Sequence, residues 1–296
     1  MDLDQIFTII QDRQCLPFLG AGASADYTVG ATQVPGVPLG GKFTQLILDK
    51  CRSLGGSVNG SPPDLLTAAE YLVYLQSGSR NGLESLIATE IARVTRPRPI
   101  HTVLAQLSEI GVIITTNYDQ LLETEIGKYG RPLIKHVYDP YNPRTGVYYQ
   151  RFPVESPNIV LHKMHGTVEQ RATMVITQSD YIRYLANLTD PERGMPEYFR
   201  KTVIPNQSLL FLGYSLRDWN FRVIWEGVLS HYAEIGTQLM SYAVVRQPTD
   251  FDRYYFRNRN IVLIDGDLTE FAKELARKFD LEIPQLGIKK NDGTAA

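Results

Sequence analysis

Short apolar runs, separated by segments with helical spacing, restrict the fold of this chain more than any other feature of its sequence. The runs are three to five residues long. Most are bounded by Gly, Asn, Asp or Pro, as is typical where a strand enters a loop. Because the runs are continuously apolar rather than alternating, they indicate strands buried on both faces, as in a parallel sheet. We predict strands over Cys15–Leu19, Val112–Thr115, Ile159–Leu161, Met174–Ile176, Ser208–Leu212, Ser241–Val245 and Ile261–Ile264.

Helical segments lie between most of these runs. The clearest are Asp119–Ile126, Ser179–Leu188, Asp218–Tyr232 and Asp267–Phe279. Strands that alternate with helices through short links predict a doubly wound parallel sheet, which is a Rossmann-like α/β fold.

Residues 41–110 interrupt the alternation. They contain four helical patterns and no convincing strand, and the patterns are Phe43–Leu54, Asp64–Leu75, Leu83–Arg93 and Ile100–Ile110. We interpret this stretch as an inserted helical module within a single domain over 1–296. The Rossmann-like core then comprises 10–40 and 111–285, and 286–296 is a flexible polar tail. The Tyr- and Pro-rich stretch Val137–Pro157 is a hairpin, an ordered loop near a ligand, or a surface excursion without a role.

Composition excludes several classes of protein. The 296 residues are 43% hydrophobic and 21% charged, as is usual for a globular protein, and the net charge of −2 gives no reason to expect direct nucleic-acid binding. The arginines Arg93, Arg96 and Arg98 are interpreted as a solvated helix end. Two cysteines, Cys15 and Cys51, cannot build a disulfide framework or a zinc ribbon. No apolar stretch approaches about 18 residues, so we expect no membrane span and a cytoplasmic protein.

A Gly-rich turn follows the first predicted strand. The apolar run Leu16–Leu19 leads into Gly20-x-Gly22-x-x-Ala25, the spacing of a dinucleotide-binding turn. There the first glycine permits the turn, the second lets backbone amides approach a pyrophosphate, and the third small residue lets helix and strand pack. No acidic residue follows a second strand where an NAD dehydrogenase holds its ribose, which disfavours that class. A tight loop without a ligand stays open on this motif alone.

Polar residues also follow later strands, at the edge where open α/β sheets bind ligands. Asn117 follows Val112–Thr115, and its amide is suited to ribose hydroxyls or a water molecule. Asp119 is a candidate carboxylate or a helix cap. His162 and His165 follow another strand, and His165 beside a glycine is a candidate general base, with a purely structural histidine as the alternative. We find too few further ligands for a metal site.

Five motifs in order carry a family resemblance. They are GAGAS at 20–24, TTNYD at 115–119, KMHGT at 163–167, LGYSL at 212–216 and LIDGDLTEF at 263–271. Together they resemble the NAD-binding set of sirtuins over nearly the whole chain. The set is most similar to the sirtuin-like domains of bacterial anti-phage defence systems.

The resemblance implies roles for individual residues. Asn117 and Asp119 would lie beside the nicotinamide ribose, and His165 would be the catalytic base or a ribose partner. The remaining NAD-binding positions implied are Gly20, Ala21, Gly22, Ser24, Thr115, Gly213, Ser215, Asp265 and Gly266. The first four would hold the pyrophosphate, Gly213 and Ser215 the adenosine side, and Asp265 and Gly266 would lie near the adenine.

Departures from the family pattern change the expected reaction. Deacylase sirtuins carry paired Cys-x-x-Cys zinc motifs, which this chain lacks, and its Gly36-Val37-Pro38 is followed by Leu39-Gly40-Gly41 rather than Asp-Phe-Arg. The resemblance therefore implies an NAD glycohydrolase, which takes NAD as substrate and forms nicotinamide and ADP-ribose without a metal. A deacylase ranks last among the alternatives.

An enzyme that destroys NAD must be gated, so we expect a homo-oligomer with a protein partner. In related defence systems the partners include HerA-type ATPases and short Argonautes, and the ATPase is preferred. Two other functions stay open: a non-catalytic assembly subunit that binds NAD or ADP-ribose, and a nucleic-acid-processing subunit of a defence complex.

Overall fold

A computed structural model describes residues 3–57, 63–142, 158–188, 190, 193–194, 199–215 and 239–290. The predicted helix Asp218–Tyr232, most of the stretch Val137–Pro157 and the last residues of the predicted tail lie outside this part of the chain. The described residues form the predicted Rossmann-like α/β fold, which confirms the fold class.

A seven-stranded sheet forms the centre of the fold, and all its neighbouring strands pair in parallel. Its order is β5-β6-β4-β1-β7-β8-β9. The strands are β1 (Cys15–Leu19), β4 (Val112–Thr115), β5 (Leu133–Val137), β6 (Ile159–Lys163), β7 (Ser208–Leu212), β8 (Ser241–Val245) and β9 (Ile261–Asp265). A separate antiparallel hairpin consists of β2 (Tyr27–Val29) and β3 (Thr32–Val34).

The apolar runs become strands because both faces of the sheet are covered. On β1, Leu16 and Phe18 enter one hydrophobic cluster, whereas Cys15 and Leu19 enter the cluster on the opposite face. Continuous apolar sequence is the pattern that such two-sided burial requires. Edge strand β5 reads Leu-Ile-Lys-His-Val and is only half-buried, so its mixed sequence lacked the apolar signal that marked the other strands.

Helices cover both faces of the sheet, and some of them form the separate helical module. They are α1 (Asp4–Gln11), α2 (Gly40–Ser53), α3 (Leu65–Leu75), α4 (Asn81–Ala92), α5 (Pro99–Gln106), α6 (Leu121–Lys128), α7 (Gln178–Leu188), α8 (Asp250–Arg257) and α9 (Leu268–Phe279). Apolar residues of α1, α5, α6 and α9 pack on one face of the sheet, and those of α7 and α8 pack on the other. Among the described residues, no helix combines the length and apolar character needed to cross a membrane.

The helical module has its own hydrophobic core, built from α2, α3 and α4. The fourth predicted helix, α5, packs instead with α6 and α9 over the sheet. Its residues Ile100, Val103 and Leu104 are almost fully buried there. The unit with an independent core is therefore the helix triplet α2–α4, and α5 belongs to the sheet layer.

The prediction of a strand over Met174–Ile176 was wrong. Met174 has an extended backbone, but within the described part of the chain these three residues pair with no strand. Met174 and Ile176 enter the core of the helical module, whereas Val175 enters the sheet cluster. Their apolar character thus reflects burial between two units. Their backbone groups bond to side chains and to a loop rather than to a neighbouring strand.

Candidate functional site

The site lies where the sheet reverses its winding direction. From the central strand β1 the chain continues to β4 on one side and later to β7 on the other. At such a switch point the loops after the strands separate and leave a crevice for a ligand. The Gly-rich turn at Gly20 and the turn at Gly213 leave β1 and β7 side by side, since Leu19 pairs with Leu212.

The two turns pack backbone against backbone. The Gly20 N–H donates to Leu212 O at 2.9 Å, and the Gly22 N–H donates to Gly213 O at 2.8 Å. A Cβ atom on Gly22 would lie 2.8 Å from Gly213 O, and one on Gly213 would lie 2.2 Å from the Ala23 nitrogen. Gly213 also has a φ of +79°, in the region that favours glycine. Both glycines are thus required for the turns to meet.

These contacts redefine the predicted role of Gly22. Its amide is engaged by Gly213, whereas the exposed Ala21 N–H has no hydrogen-bond partner within the described ranges. Ala21 is the first residue of a short 3-10 helix, Ala21–Ser24, and the leading N–H group of a helix has no partner within the helix itself.

Asn117 links β4 to the Gly-rich turn. Its Nδ2 donates to Gly20 O at 3.0 Å and to Ser24 Oγ at 3.2 Å. These two acceptors define the orientation of the amide and leave Oδ1 without a partner among the described residues. Thr115 lies buried below, where its Oγ1 donates to Leu19 O and accepts from the Asn117 N–H. Thr115 therefore orients Asn117 and does not line the cleft itself.

Asp119 lies in the cleft and also bonds the start of a helix. It is 5% exposed and lines the cleft, yet its Oδ1 accepts the Leu121 N–H at the start of α6 at 3.1 Å. The buried ammonium group of Lys163 donates to Asp119 O at 2.5 Å and to Glu123 Oε1 at 2.8 Å. Lys163 therefore holds the turn that carries Asn117 and Asp119.

His165 lines the same cleft and is 8% exposed. Its Nε2 is buried and has no hydrogen-bond partner among the described residues. The rings of Tyr181 and Tyr184 on α7 stand edge-on to the imidazole, with centroids 6.2 and 4.9 Å away. Burial lowers the pKa of His165 to about 4, so the imidazole is neutral at physiological pH and able to accept a proton.

His162 is separated from this site. It lies within β6, where its Nδ1 is 2.6 Å from Nδ1 of His136 on β5, and the two rings stack 4.8 Å apart. Burial lowers the pKa of His162 to about 3. The two histidines of the sequence motif therefore have different environments, and His165 is the one at the cleft.

The prediction that Arg98 belongs to a solvated helix end was wrong. It is 2% exposed, and its guanidinium donates to Ser24 O at 3.3 Å and to Pro35 O at 2.5 Å. It also lies 5.1 Å from the centre of the Tyr27 ring. Arg98 thus ties the Gly-rich turn to the segment after the hairpin. An arginine that directly precedes Pro99 at the start of a helix gave no signal of burial.

The far end of the cleft is formed after β7, β8 and β9. Gly213, Ser215 and Gly266 line it. Asp265 does not, because its Oδ1 accepts the Gln247 N–H at 2.9 Å and the residue lines a separate, smaller cavity. The neighbouring Asp267 lines the cleft instead, where it caps α9 and forms an ion pair with Arg246.

The cleft has a volume of about 1420 Å³, which exceeds the 300–1,000 Å³ usual for small-molecule sites. Nine of the twelve residues proposed from sequence line it, and Gly20, Thr115 and Asp265 do not. Within the described ranges, no cluster of three or more histidine, cysteine, aspartate or glutamate side chains is arranged to hold a metal ion.

A family model described as a SIR2-like domain matches residues 111–264, just over half of the chain. The chain belongs to the SIR2-like domain family. The matched region contains Asn117, Asp119, His165 and Gly213, whereas the turn at Gly20–Ser24 precedes it.

Curated relatives of this SIR2-like chain include two proteins named NAD(+) hydrolase ThsA. The one from Enterococcus faecium is 28% identical over 71% of this chain and 43% of its own length. The one from Bacillus cereus (strain MSX-D12) is 26% identical over 85% of this chain and 48% of its own length. Defense-associated sirtuin 2 of Bacillus subtilis is 27% identical over 47% of this chain and 12% of its length. The chain thus spans about half the length, or less, of these relatives.

Proposed function

We propose that this SIR2-like chain hydrolyses the glycosidic bond of NAD and releases nicotinamide and ADP-ribose. The observation that carries the proposal is the convergence of Asn117, Asp119 and the neutral imidazole of His165 on one cleft beside a Gly-rich turn. Relatives named NAD(+) hydrolase support the same reaction.

The reaction needs the protein to bind the dinucleotide, to stabilise the ribose as its bond to nicotinamide breaks, and to activate a water molecule. The dinucleotide is bound along the ends of β1 and β7, with the pyrophosphate near Ala21 N–H and the adenosine toward Gly213, Ser215 and Gly266. As the bond between the ribose C1′ and nicotinamide breaks, its electron pair goes to the nicotinamide nitrogen, which neutralises the pyridinium. The ribose then develops oxocarbenium character, which the carboxylate of Asp119 stabilises electrostatically.

Water completes the reaction by attack at C1′. Asn117 Oδ1 accepts a hydrogen bond from this water or from a ribose hydroxyl, and His165 takes the proton that the water loses. His165 is suited to this role because its imidazole is neutral and its Nε2 has no hydrogen-bond partner in the described part of the chain. The proton then passes to solvent.

The first test is nicotinamide release from NAD by the purified chain. We expect His165→Ala to lower kcat by about 100-fold or more, the range lost when a general base is removed, and Asn117→Ala to lower it by about 100-fold, as when one transition-state hydrogen bond is removed. Ser108→Ala, an exposed residue outside the cleft, is the matched control and keeps wild-type turnover. Turnover like wild type in both cleft variants would refute these residue assignments.

The alternative of a non-catalytic subunit makes a different prediction. It expects tight binding of NAD or ADP-ribose, measured by calorimetry, with no nicotinamide formed even when the partner is present. A nucleic-acid-processing subunit would show salt-dependent DNA binding, which the net charge of −2 disfavours.

We further propose that the chain is a gated effector of bacterial anti-phage defence that acts by depleting NAD. A relative named defense-associated sirtuin supports this role. Gating would come from homo-oligomerisation and from a protein partner, with a HerA-type ATPase preferred over a short Argonaute. The test compares NAD consumption and light-scattering mass of the chain alone with those of the co-purified complex. Equal turnover in both samples would refute gating by the partner.

A further inference from the structure

A buried ion pair lies behind the cleft and takes no part in lining it. Asp180, in the first turn of α7, pairs with Arg80, which precedes α4 of the helical module. The Asp180 side chain is 1% exposed, and that of Arg80 is 19% exposed. Two further groups face the pair: Glu84 Oε1, 3.0 Å from Arg80 Nε, and the Tyr141 hydroxyl, which donates to Asp180.

The ion pair holds the backbone of residues 174–177. Arg80 Nη2 donates to Met174 O at 2.9 Å. Asp180 Oδ2 accepts the N–H groups of Ile176 and Thr177 at 3.1 and 2.9 Å. Three consecutive peptide units around Val175 are therefore bound to this one pair of charges, in a segment that pairs with no strand among the residues that the structure describes.

Val175, at the centre of this segment, is bonded to the cleft residues. Its N–H donates to His165 O at 3.0 Å, and its carbonyl accepts the Tyr118 hydroxyl at 2.5 Å. The imidazole of His165 rests against Tyr181 and Tyr184, which lie on α7 together with Asp180. The backbone and the ring of His165 therefore both contact parts of the structure that the ion pair joins.

We propose that Arg80 and Asp180 are positioning residues for His165, so that the helical module is a functional part of the site. The proposal rests on the proposed hydrolysis of NAD. Arg80 comes from the module and Asp180 from the sheet layer, so a displacement of one unit against the other would shift the segment that carries Val175. A displacement of about 1 Å at a reacting group is enough to lower a rate by about 100-fold.

The experiment removes the Arg80 guanidinium and leaves every residue that lines the cleft unchanged. We expect Arg80→Met to lower kcat by about 10- to 100-fold, with KM for NAD within about twofold, because no substrate contact is lost. Arg80→Lys retains the charge and recovers part of kcat. The matched control is Arg131→Met, since Arg131 is also a half-buried arginine that donates to backbone carbonyls, those of Leu107 and Ile110, away from the cleft.

Hydrogen–deuterium exchange supplies a readout that does not depend on turnover. In Arg80→Met and Arg80→Lys the amides of Val175, Ile176 and Thr177 exchange faster than in wild type, whereas in Arg131→Met they do not. Unchanged exchange in the Arg80 variants would overturn the positioning role, and so would faster exchange with an unchanged kcat. Absence of nicotinamide release by the wild type would instead overturn the proposed hydrolysis, so the two failures are distinguishable.

Discussion

At the scale of single residues, the cleft contains polar groups whose partners differ from those that sequence suggests. Asn117 uses its amide nitrogen to bind the Gly-rich turn and leaves its oxygen for a ligand. Burial lowers the pKa of His165, and no charged group among the described residues contributes to the shift. An unpaired buried imidazole costs free energy, and such costs are typical of sites arranged for a ligand rather than for stability.

The pH dependence of turnover follows from the state of His165. The neutral imidazole is the active form and its pKa is lowered to about 4. Lowering the pH from 8 to 6 should therefore leave kcat/KM unaffected by His165, and any fall of kcat/KM in protein that is still folded should begin well below pH 6.5, toward the lowered pKa of about 4. Initial rates are measured on protein whose folded fraction is checked at each pH by circular dichroism. Asn117→Ala should keep the same acid limb at lower kcat, and an acid limb near 6.5 in folded protein would contradict a buried base.

At the scale of elements, the site depends on two turns that meet at the switch point of the sheet. The sheet order places β1 and β7 side by side, and glycines at the ends of both strands allow their backbones to touch. Arg98, which also lines the cleft, holds the Gly-rich turn by donating to Ser24 O and Pro35 O. The turn is thus held from the β4, β7 and α5 sides before any ligand binds.

Alanine substitutions test this packing. Gly213→Ala introduces strain at a φ of +79° and a Cβ 2.2 Å from the Ala23 nitrogen, so we expect a loss of about 2 kcal/mol or more in unfolding free energy. The same change raises KM for NAD, because the turns separate. Gly127→Ala in α6, where a Cβ meets nothing within 4 Å, is the control and should gain about 0.5–1 kcal/mol. Urea unfolding and NAD titration provide both measurements, and equal behaviour of the two variants would refute the close packing.

At the scale of the whole molecule, four of the five histidines are buried with lowered pKa values. The values are about 4 for His101, 2 for His136, 3 for His162 and 4 for His165, against 6.5 for an exposed histidine. Below pH 6.5 the unfolded chain binds protons that the folded chain does not. Linkage then makes the folded state lose stability as the pH falls.

We accordingly expect the unfolding free energy to decrease from pH 6.5 toward pH 4, with up to about 1.4 kcal/mol per pH unit from each such histidine. Above pH 6.5 these groups contribute no slope, because both states are neutral. Urea unfolding at a series of pH values measures the slope. His101→Gln removes one titrating group, so its slope should be shallower by about 1.4 kcal/mol per unit. A slope equal to that of wild type would show that His101 is not protonated on unfolding.

Sequence by itself determined the sheet and the candidate residues near its carboxyl edge. Continuous apolar runs can only be buried on both faces, so six of the seven predicted strands appear in the sheet, and polar residues after them gather at one edge. Strand β5 was not predicted, because a half-buried strand has no continuous apolar run. The prediction of a strand over Met174–Ile176 was wrong, because residues buried between two units are as apolar as residues buried in a sheet.

Tertiary structure alone decided which polar side chains bond within the protein and which face the cleft. Whether His162 or His165 meets the cleft depends on where β6 ends, and Asp265 turns from the cleft while Asp267 faces it. The burial of Arg98 and the ion pair of Arg80 with Asp180, which are 100 positions apart, depend on long-range packing that no local spacing encodes. Side-chain type is a local property of a sequence, but a hydrogen-bond partner is a property of the folded chain.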